Sequence, residues 1–266
     1  MIRTLFIIAG AALVLCAVTV GGALAIGGHD LQRHGWAWTF RTNDGETVRI
    51  ERVRGDEADD MGPTVTRTLT WTGGDALRID SAIDVEYVQG DAATVVVTGP
   101  RALAERVRLD GGRLWLGQDE DGRVVNRSVI RYWNHNGLHI RSEPDELHVV
   151  VTAPAVERFD LNGSRSLTIA NYDRPRLAIA LAGSGEVTAS GHTAALSLDI
   201  SGSGEAELAD LDARDAEVSI SGSGDARIAA TGTASIDIAG SGDVRLATRP
   251  AKVTTSVSGS GEVTQD

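Results

Sequence analysis

The stretch Gly183-Ser184-Gly185-Glu186 decides the fold, because it returns as Gly202-Ser203-Gly204-Glu205, Gly222-Ser223-Gly224-Asp225, Gly240-Ser241-Gly242-Asp243 and Gly259-Ser260-Gly261-Glu262. A shortened copy, Gly163-Ser164, precedes them, and the first glycines stand 20, 19, 20, 18 and 19 residues apart. A fixed period near twenty marks stacked supersecondary units, each too small to bury its own apolar face. Six, four and two residues ahead of the glycine come Leu177, Ile179 and Leu181; then Leu196, Leu198 and Ile200; Ala216, Val218 and Ile220; Ala234, Ile236 and Ile238; Val253, Thr255 and Val257. Four and six residues after it come Val187 and Ala189, Ala206 and Leu208, Ala226 and Ile228, Val244 and Leu246. Such alternation is the period-2 pattern of half-buried strands, and no helical period fits. The unit is therefore a strand, a Gly-Ser-Gly corner, a second strand and a polar return. Units of this kind predict an all-β parallel β-helix, with glycines where backbone must approach backbone.

The corners are joined upstream by Leu77-Arg78-Ile79, Ile83-Asp84-Val85-Glu86-Tyr87-Val88-Gln89-Gly90-Asp91 and Val95-Val96-Val97. In this order the segments resemble the family named putative auto-transporter adhesin, head GIN domain, over roughly residues 64–263. The resemblance implies a β-helical, exported, cell-envelope domain, and it carries no catalytic residues with it.

Ahead of the repeats, Leu5 to Ile26 is an uncharged apolar run of 22 residues, long enough as a helix to span a ~30 Å hydrocarbon core. Arg3 before it favours a cytoplasmic amino end and export of the rest. Ala23-Leu24-Ala25 also has the form of a signal-cleavage site, so residues 1–26 are a signal peptide or a membrane anchor. Cys16 lies inside this run, which leaves the remainder of the chain without a disulfide. A net charge of −12 argues against nucleic-acid binding and against docking of the chain as a whole on anionic lipid. Residues 27–63 form a connecting arm in which Trp36, Trp38 and Phe40 alternate, as do the residues of Thr47 to Val53, giving two short strands or an extended segment. An aromatic stripe beside a membrane run is an interfacial belt or a cap on the first coil before it is a ligand platform. The β-helical domain occupies 64–266, with its repeats clearest in 157–266.

Between Val107 and Pro154 the period lapses. Val107-Arg108-Leu109 and Leu114-Trp115-Leu116 predict strands about an Asp110-Gly111-Gly112 turn, and Leu147 to Val151 predicts a returning strand. The polar stretch 118–137 is expected as an excursion, and Tyr132, Trp133 and His135 near its end form the candidate binding surface. His135, His139 and His148 share no ligand spacing, and the Gly-Ser-Gly words have no helix after them to make a serine nucleophile. Glu186, Glu205, Asp225, Asp243 and Glu262 recur once per unit and should stack ~4.8 Å apart. In water their neighbours repel by roughly 0.9 kcal/mol, which a solvated edge tolerates; a bridging calcium ion is the lesser alternative.

No catalytic residue, cofactor or metal is expected. The function expected is adhesion, surface recognition or envelope scaffolding on a glycan or protein ligand. The rivals are a polysaccharide-active β-helix enzyme and a periplasmic sensor domain. Val253, Val257 and Val263 lie inward in the last unit, so weak homo-association through that coil is also expected. A reporter fused after Asp266 should appear on the periplasmic side in a Gram-negative host. Mass spectrometry then separates a mature start at Ile26 from an intact Met1, and a membrane-free cytoplasmic product would overturn both forms of the expectation.

Overall fold

The computed structural model of the chain describes residues 63–81, 83–117 and 147–266 in full, and the backbone of strands at 37–41, 47–51, 125–134 and 137–142. Strands β1 (Ala37–Arg41) and β2 (Thr47–Glu51) pair antiparallel, and the chain goes on through β3 (Thr64–Thr70), β4 (Ala76–Ile79), β5 (Asp84–Gln89) and β6 (Thr94–Pro100). A single helical turn, α1 (Arg101–Ala104), precedes the hairpin β7 (Val107–Asp110) and β8 (Arg113–Leu116). After β9 (Val125–Asn134), β10 (Gly137–Ser142) and β11 (His148–Ala153), the repeats supply β12 (Arg158–Gly163), β13 (Ser166–Gly183), β14 (Glu186–Gly202) and β15 (Glu205–Gly222). The last strands are β16 (Asp225–Ala230), β17 (Thr233–Gly240), β18 (Val244–Leu246), β19 (Lys252–Gly259) and β20 (Val263–Gln265). The described residues are thus all-β apart from α1.

The repeats build a β-solenoid. Leu161 pairs with Ile79 on one side and Leu181 on the other; Leu181 pairs with Ile200, Ile200 with Ile220 and Ile220 with Ile238, all in parallel register. Each residue of this column is at most 2% exposed, so one inward position runs unbroken through the stack. The second face is made in the same way: Val85 pairs with Leu167, Leu167 with Val187, Val187 with Ala206, Ala206 with Ala226 and Ala226 with Val244. Burying a Leu or Ile stabilises by roughly 1.5–3 kcal/mol, and every coil contributes several.

The returns differ from the expectation of a polar connection. Tyr172 pairs with Gly191 and Gly191 with Leu211, while Arg174, Thr193 and Ala213 form a parallel row beside them. Register shifts after Ile169, Thr188 and Leu208 turn the chain into this third side, and Tyr172, Thr193, Leu211 and Ala213 are buried there. These residues are too few and too varied per unit to show a period in sequence. A bulge supplies the bend that the pattern did not announce.

The first coils are sealed differently. On one face β8 lies parallel to β4 and β7 turns back on β8, with Gly111 and Gly112 at positive φ in the two-residue turn. On the other face β11 runs parallel to β5, and β6 and β3 add antiparallel. Leu103 and Ala104 of α1 are buried, and Arg67 donates to the carbonyls of Ala104 and Val107 at 3.3 Å each. Inside, Tyr87 meets Phe159 edge-on at 4.9 Å, and Phe159 meets Tyr172 at 6.4 Å. Tyr87 donates to the Ala153 carbonyl at 2.8 Å and Tyr172 to that of Arg176, so neither buried hydroxyl is left unpaired. Burial pushes both hydroxyls above the ordinary tyrosine range.

Within the polar excursion expected over 118–137, Val125–Asn134 is a strand. Val125, Val129, Ile130, Tyr132 and Trp133 supply the β-forming residues, which the polar average of the stretch concealed. The four strands β1, β2, β9 and β10 form a second sheet in that order, in a compact unit separate from the solenoid. The apolar run 5–26 lies outside the described residues, and no helix among the described residues is long and apolar enough to cross a membrane.

The inward register is testable at one pair of neighbours. Ile220 is 1% exposed and Ser219 beside it faces water. Ile220→Asp buries an unpartnered charge and should cost on the order of 4 kcal/mol or more, whereas Ser219→Asp should stay within about 0.5 kcal/mol. Denaturant unfolding of the two variants checks this, and equal losses would show the register to be wrong.

Candidate recognition surface

Charged groups outside the solenoid stand in columns because the coils stack in register. Glu186 pairs with Glu205 and Glu205 with Asp225, while the register of Ala226 with Val244 and Val244 with Val263 continues the line through Asp243 to Glu262. The five carboxylates expected to stack therefore do so, on an exposed edge. Beside them run Glu207, Arg227 and Arg245, with Arg227 3.7 Å from Glu207 and 3.2 Å from Asp266. Together the two columns line a shallow groove of about 300 Å³.

The carboxylates do two different jobs. The Asp225 Oδ1 accepts the Asp243 backbone N–H at 2.8 Å, and the Asp243 Oδ1 accepts that of Glu262 at 2.8 Å. Asp84 does the same for Ser166, taking its N–H at 3.1 Å and its hydroxyl at 2.8 Å. The amides of Glu205 and Asp225, which follow glutamates in the column, bond instead to the carbonyls of Gly185 and Gly204, both at 3.0 Å. A short aspartate reaches the next coil's amide as it would in an Asx turn, whereas glutamate extends past it into water. Sequence reading placed the column and missed this division. The change from Glu186 and Glu205 to Asp225 and Asp243 along the column was the available signal.

A second groove, of about 520 Å³, opens where Arg176, Ala195, Ser197, Asp215, Glu217 and Ser235 meet on the first face. Asp215 accepts the Thr233 N–H at 2.9 Å and the Thr233 hydroxyl, and Arg214 lies 2.8 Å from its other oxygen. These donors, the Thr233 hydroxyl foremost, hold its carboxyl at about 2.

Of the aromatic and histidine candidates, Tyr132 and Trp133 fall in β9 and His139 in β10, while His135 lies outside the described residues. His148 begins β11, with its Nε2 3.6 Å from the Glu86 carboxylate. Among the described residues no group of three or more His, Cys, Asp or Glu forms a metal-ligand set.

Two measurements test the division of labour. Asp243→Ala removes the acceptor of the Glu262 amide and should cost about 0.5–1.5 kcal/mol in denaturant unfolding, whereas Glu205→Ala should cost less than half of that. Asp215 is depressed, so its contribution is complete above the unfolded value near 4 and is lost as pH falls toward 2. Thr233→Val should raise the Asp215 midpoint seen by carboxyl NMR; an unmoved midpoint would discard the Thr233 bond as its cause.

The family described as putative auto-transporter adhesin, head GIN domain, matches residues 75–250. No curated protein matches the chain. Among solved structures, a putative adhesin from Bacteroides fragilis NCTC 9343 superposes with a TM-score of 0.57 at 17% identity, over 77% of this chain and 97% of that one. A putative lipid binding protein from Parabacteroides distasonis ATCC 8503 aligns at 22% identity over 81% of this chain and 99% of its own, but its TM-score of 0.44 is too low to support an argument. The first structure is a likeness of fold alone, whereas the family match spans most of the solenoid, and by it the chain belongs to the putative auto-transporter adhesin, head GIN domain family.

Proposed function

We propose that this chain is an exported, non-catalytic module of the cell envelope that acts in adhesion, surface recognition or envelope scaffolding. Family membership supports the adhesive reading, and the run Leu5 to Ile26 behind Arg3 supports export. One observation carries the non-catalytic part. The aspartates Asp84, Asp215, Asp225 and Asp243 spend an oxygen on the next coil's backbone, leaving polar columns beside open grooves rather than a poised acid–base pair. In this reading the Gly-Ser-Gly words are the corners that set those columns at the spacing of the coils. Regular rows of small and charged groups suit an extended glycan or protein ligand.

Homo-association through the last coil belongs to the same proposal. Strand β19 pairs with β17, and Val253 and Val257 on it are 41% and 44% exposed although they occupy the inward register. Its outward residues are Lys252, Thr254, Ser256 and Ser258, a single charge on an otherwise neutral edge.

A glycan array and a screen against envelope fractions should register binding without turnover. Release of oligosaccharide products from any bound polysaccharide would overturn the non-catalytic reading. In sedimentation over a concentration series, the wild type should self-associate and Val257→Arg should remain monomeric; a monomeric wild type would remove β19 from the proposal.

A further inference from the structure

The first coils of the solenoid carry, on the outer side of the first face, an ion-pair network built the other way round from the column of acids. Ile79, Leu114 and Leu161 point inward and are buried, which turns Arg78, Arg113 and Asp160 outward on the adjacent strands β4, β8 and β12. Arg78 is the register partner of both Arg113 and Asp160. Asp160 accepts from the Arg158 Nε at 3.0 Å, while Asp80 accepts from the Arg113 Nε and, at 2.7 Å, from the Asn162 amide. The Arg78 Nε lies 3.9 Å from each aspartate. The side chains of Asp80 and Asp160 are only 19% and 14% exposed, whereas those of Arg78, Arg113 and Arg158 are 55%, 56% and 62% exposed. The acids are thus the covered layer and the guanidinium groups the open one.

Each of the three arginines meets its aspartate through Nε. The Nη1 and Nη2 edge of each guanidinium therefore has no hydrogen-bond partner among the described residues, and that edge is shaped to receive two oxygens of one anion. Arg113 is fixed further, with its Cζ 5.2 Å from the centre of the Trp115 ring. Side chains held in this way lose little freedom when a partner arrives. Strands lie ~4.8 Å apart, so the row of Arg158, Arg78 and Arg113 extends over roughly 12 Å. The coil beside it presents Ala178, Ala180 and Ala182, in register with Arg158, Asp160 and Asn162, and leaves a low shelf along which a long ligand can continue. We propose that this arginine row binds the carboxylate or sulfate groups of an acidic polysaccharide. A linear polyanion lies along the row and the shelf alone, whereas a broad anionic surface would also meet the carboxylates that give the chain its charge of −12. The inference rests on the reading of the solenoid as a recognition module and gives the chemistry of its glycan.

Calorimetric titration of the full chain, held in a neutral detergent, with polygalacturonate, dextran sulfate and uncharged dextran provides the test. The expected result is saturable binding of at least one polyanion that weakens as salt is raised, with none of dextran; the two polyanions separate a carboxylate ligand from a sulfate one. Arg113→Gln with Arg158→Gln should weaken that binding roughly tenfold or more, and the Lys pair should recover part of it, which separates charge from a folding defect. Arg245→Gln, on the second face, should leave it unchanged. Binding that the Gln pair does not alter, or no affinity for either polyanion, would overturn the proposal. Capture of a neutral glycan or a protein with equal affinity by the wild type and the Gln pair would overturn it while leaving the recognition reading intact, and a chain that captured no glycan or envelope component would lose both. Salt-sensitive binding to phosphatidylglycerol vesicles without binding of either polysaccharide would give the row to lipid and likewise overturn the proposal.

Discussion

The carbonyl oxygen of the first glycine in each coil is the contact on which the stack depends. The Gly202 oxygen accepts the Ser223 N–H at 2.8 Å, and it lies 2.3 Å from where a Cβ on Gly222 would stand. Gly222 itself has φ of 129°, a conformation that L side chains rarely adopt. The same bond recurs from Ser203 to Gly183, Ser241 to Gly222 and Ser260 to Gly240 at 2.8–2.9 Å. Any side chain at this position would separate the coils where they are closest. The glycine is thus required by the coil behind it, which is why the word repeats when the residues around it drift.

That constraint makes the middle of the solenoid uniform and moves every structural problem to its ends. A coil in the middle has both edges satisfied by copies of itself. The first coils have no copy to lean on, and the chain spends unrepeated sequence there. A hairpin closes one face, antiparallel strands close the other, and α1 with Trp71 covers residues that would otherwise meet water. Aromatic rings replace aliphatic side chains in the same place: Tyr87, Phe159 and Tyr172 pack edge-on, and the two tyrosine hydroxyls donate to the carbonyls of Ala153 and Arg176. The strand β19, by contrast, keeps the repeat pattern and remains exposed along its length.

The solenoid was legible because its signal is redundant: the inward columns through Ile200 and Val187 repeat at one spacing, and each copy confirms the others. The hairpin about Gly111 and Gly112 was legible for a local reason, a two-residue turn between alternating strands. The third side of the coil was not, because Tyr172, Gly191 and Leu211 share a place in space without sharing a chemical type. Strand β9 was hidden by averaging, since Asn126, Arg127, Ser128, Arg131 and Asn134 among its apolar residues make the stretch resemble a polar loop. The surface was legible as a column of acids but not as a set of bonds, which depend on reach to within an ångström.

Reach explains why residues of one charge and one column differ in what remains free for a partner. An aspartate in the column places its oxygen on the next amide and becomes part of the backbone's own accounting of donors and acceptors. One more methylene carries the glutamate carboxylate beyond that amide, whose bond then goes to a glycine carbonyl instead. Exchanging Asp for Glu along the column therefore moves charge between structural and solvent-facing roles without changing the net charge or the fold. Recognition on such a surface can diversify residue by residue while the glycine contact beneath stays fixed, provided each aspartate lost leaves its amide another acceptor. The stack supplies that acceptor in the carbonyl of the second glycine of the coil before, Gly185 or Gly204, two residues beyond the first-glycine carbonyl that holds the corner serine, so the edge is free to vary while that first contact stays fixed.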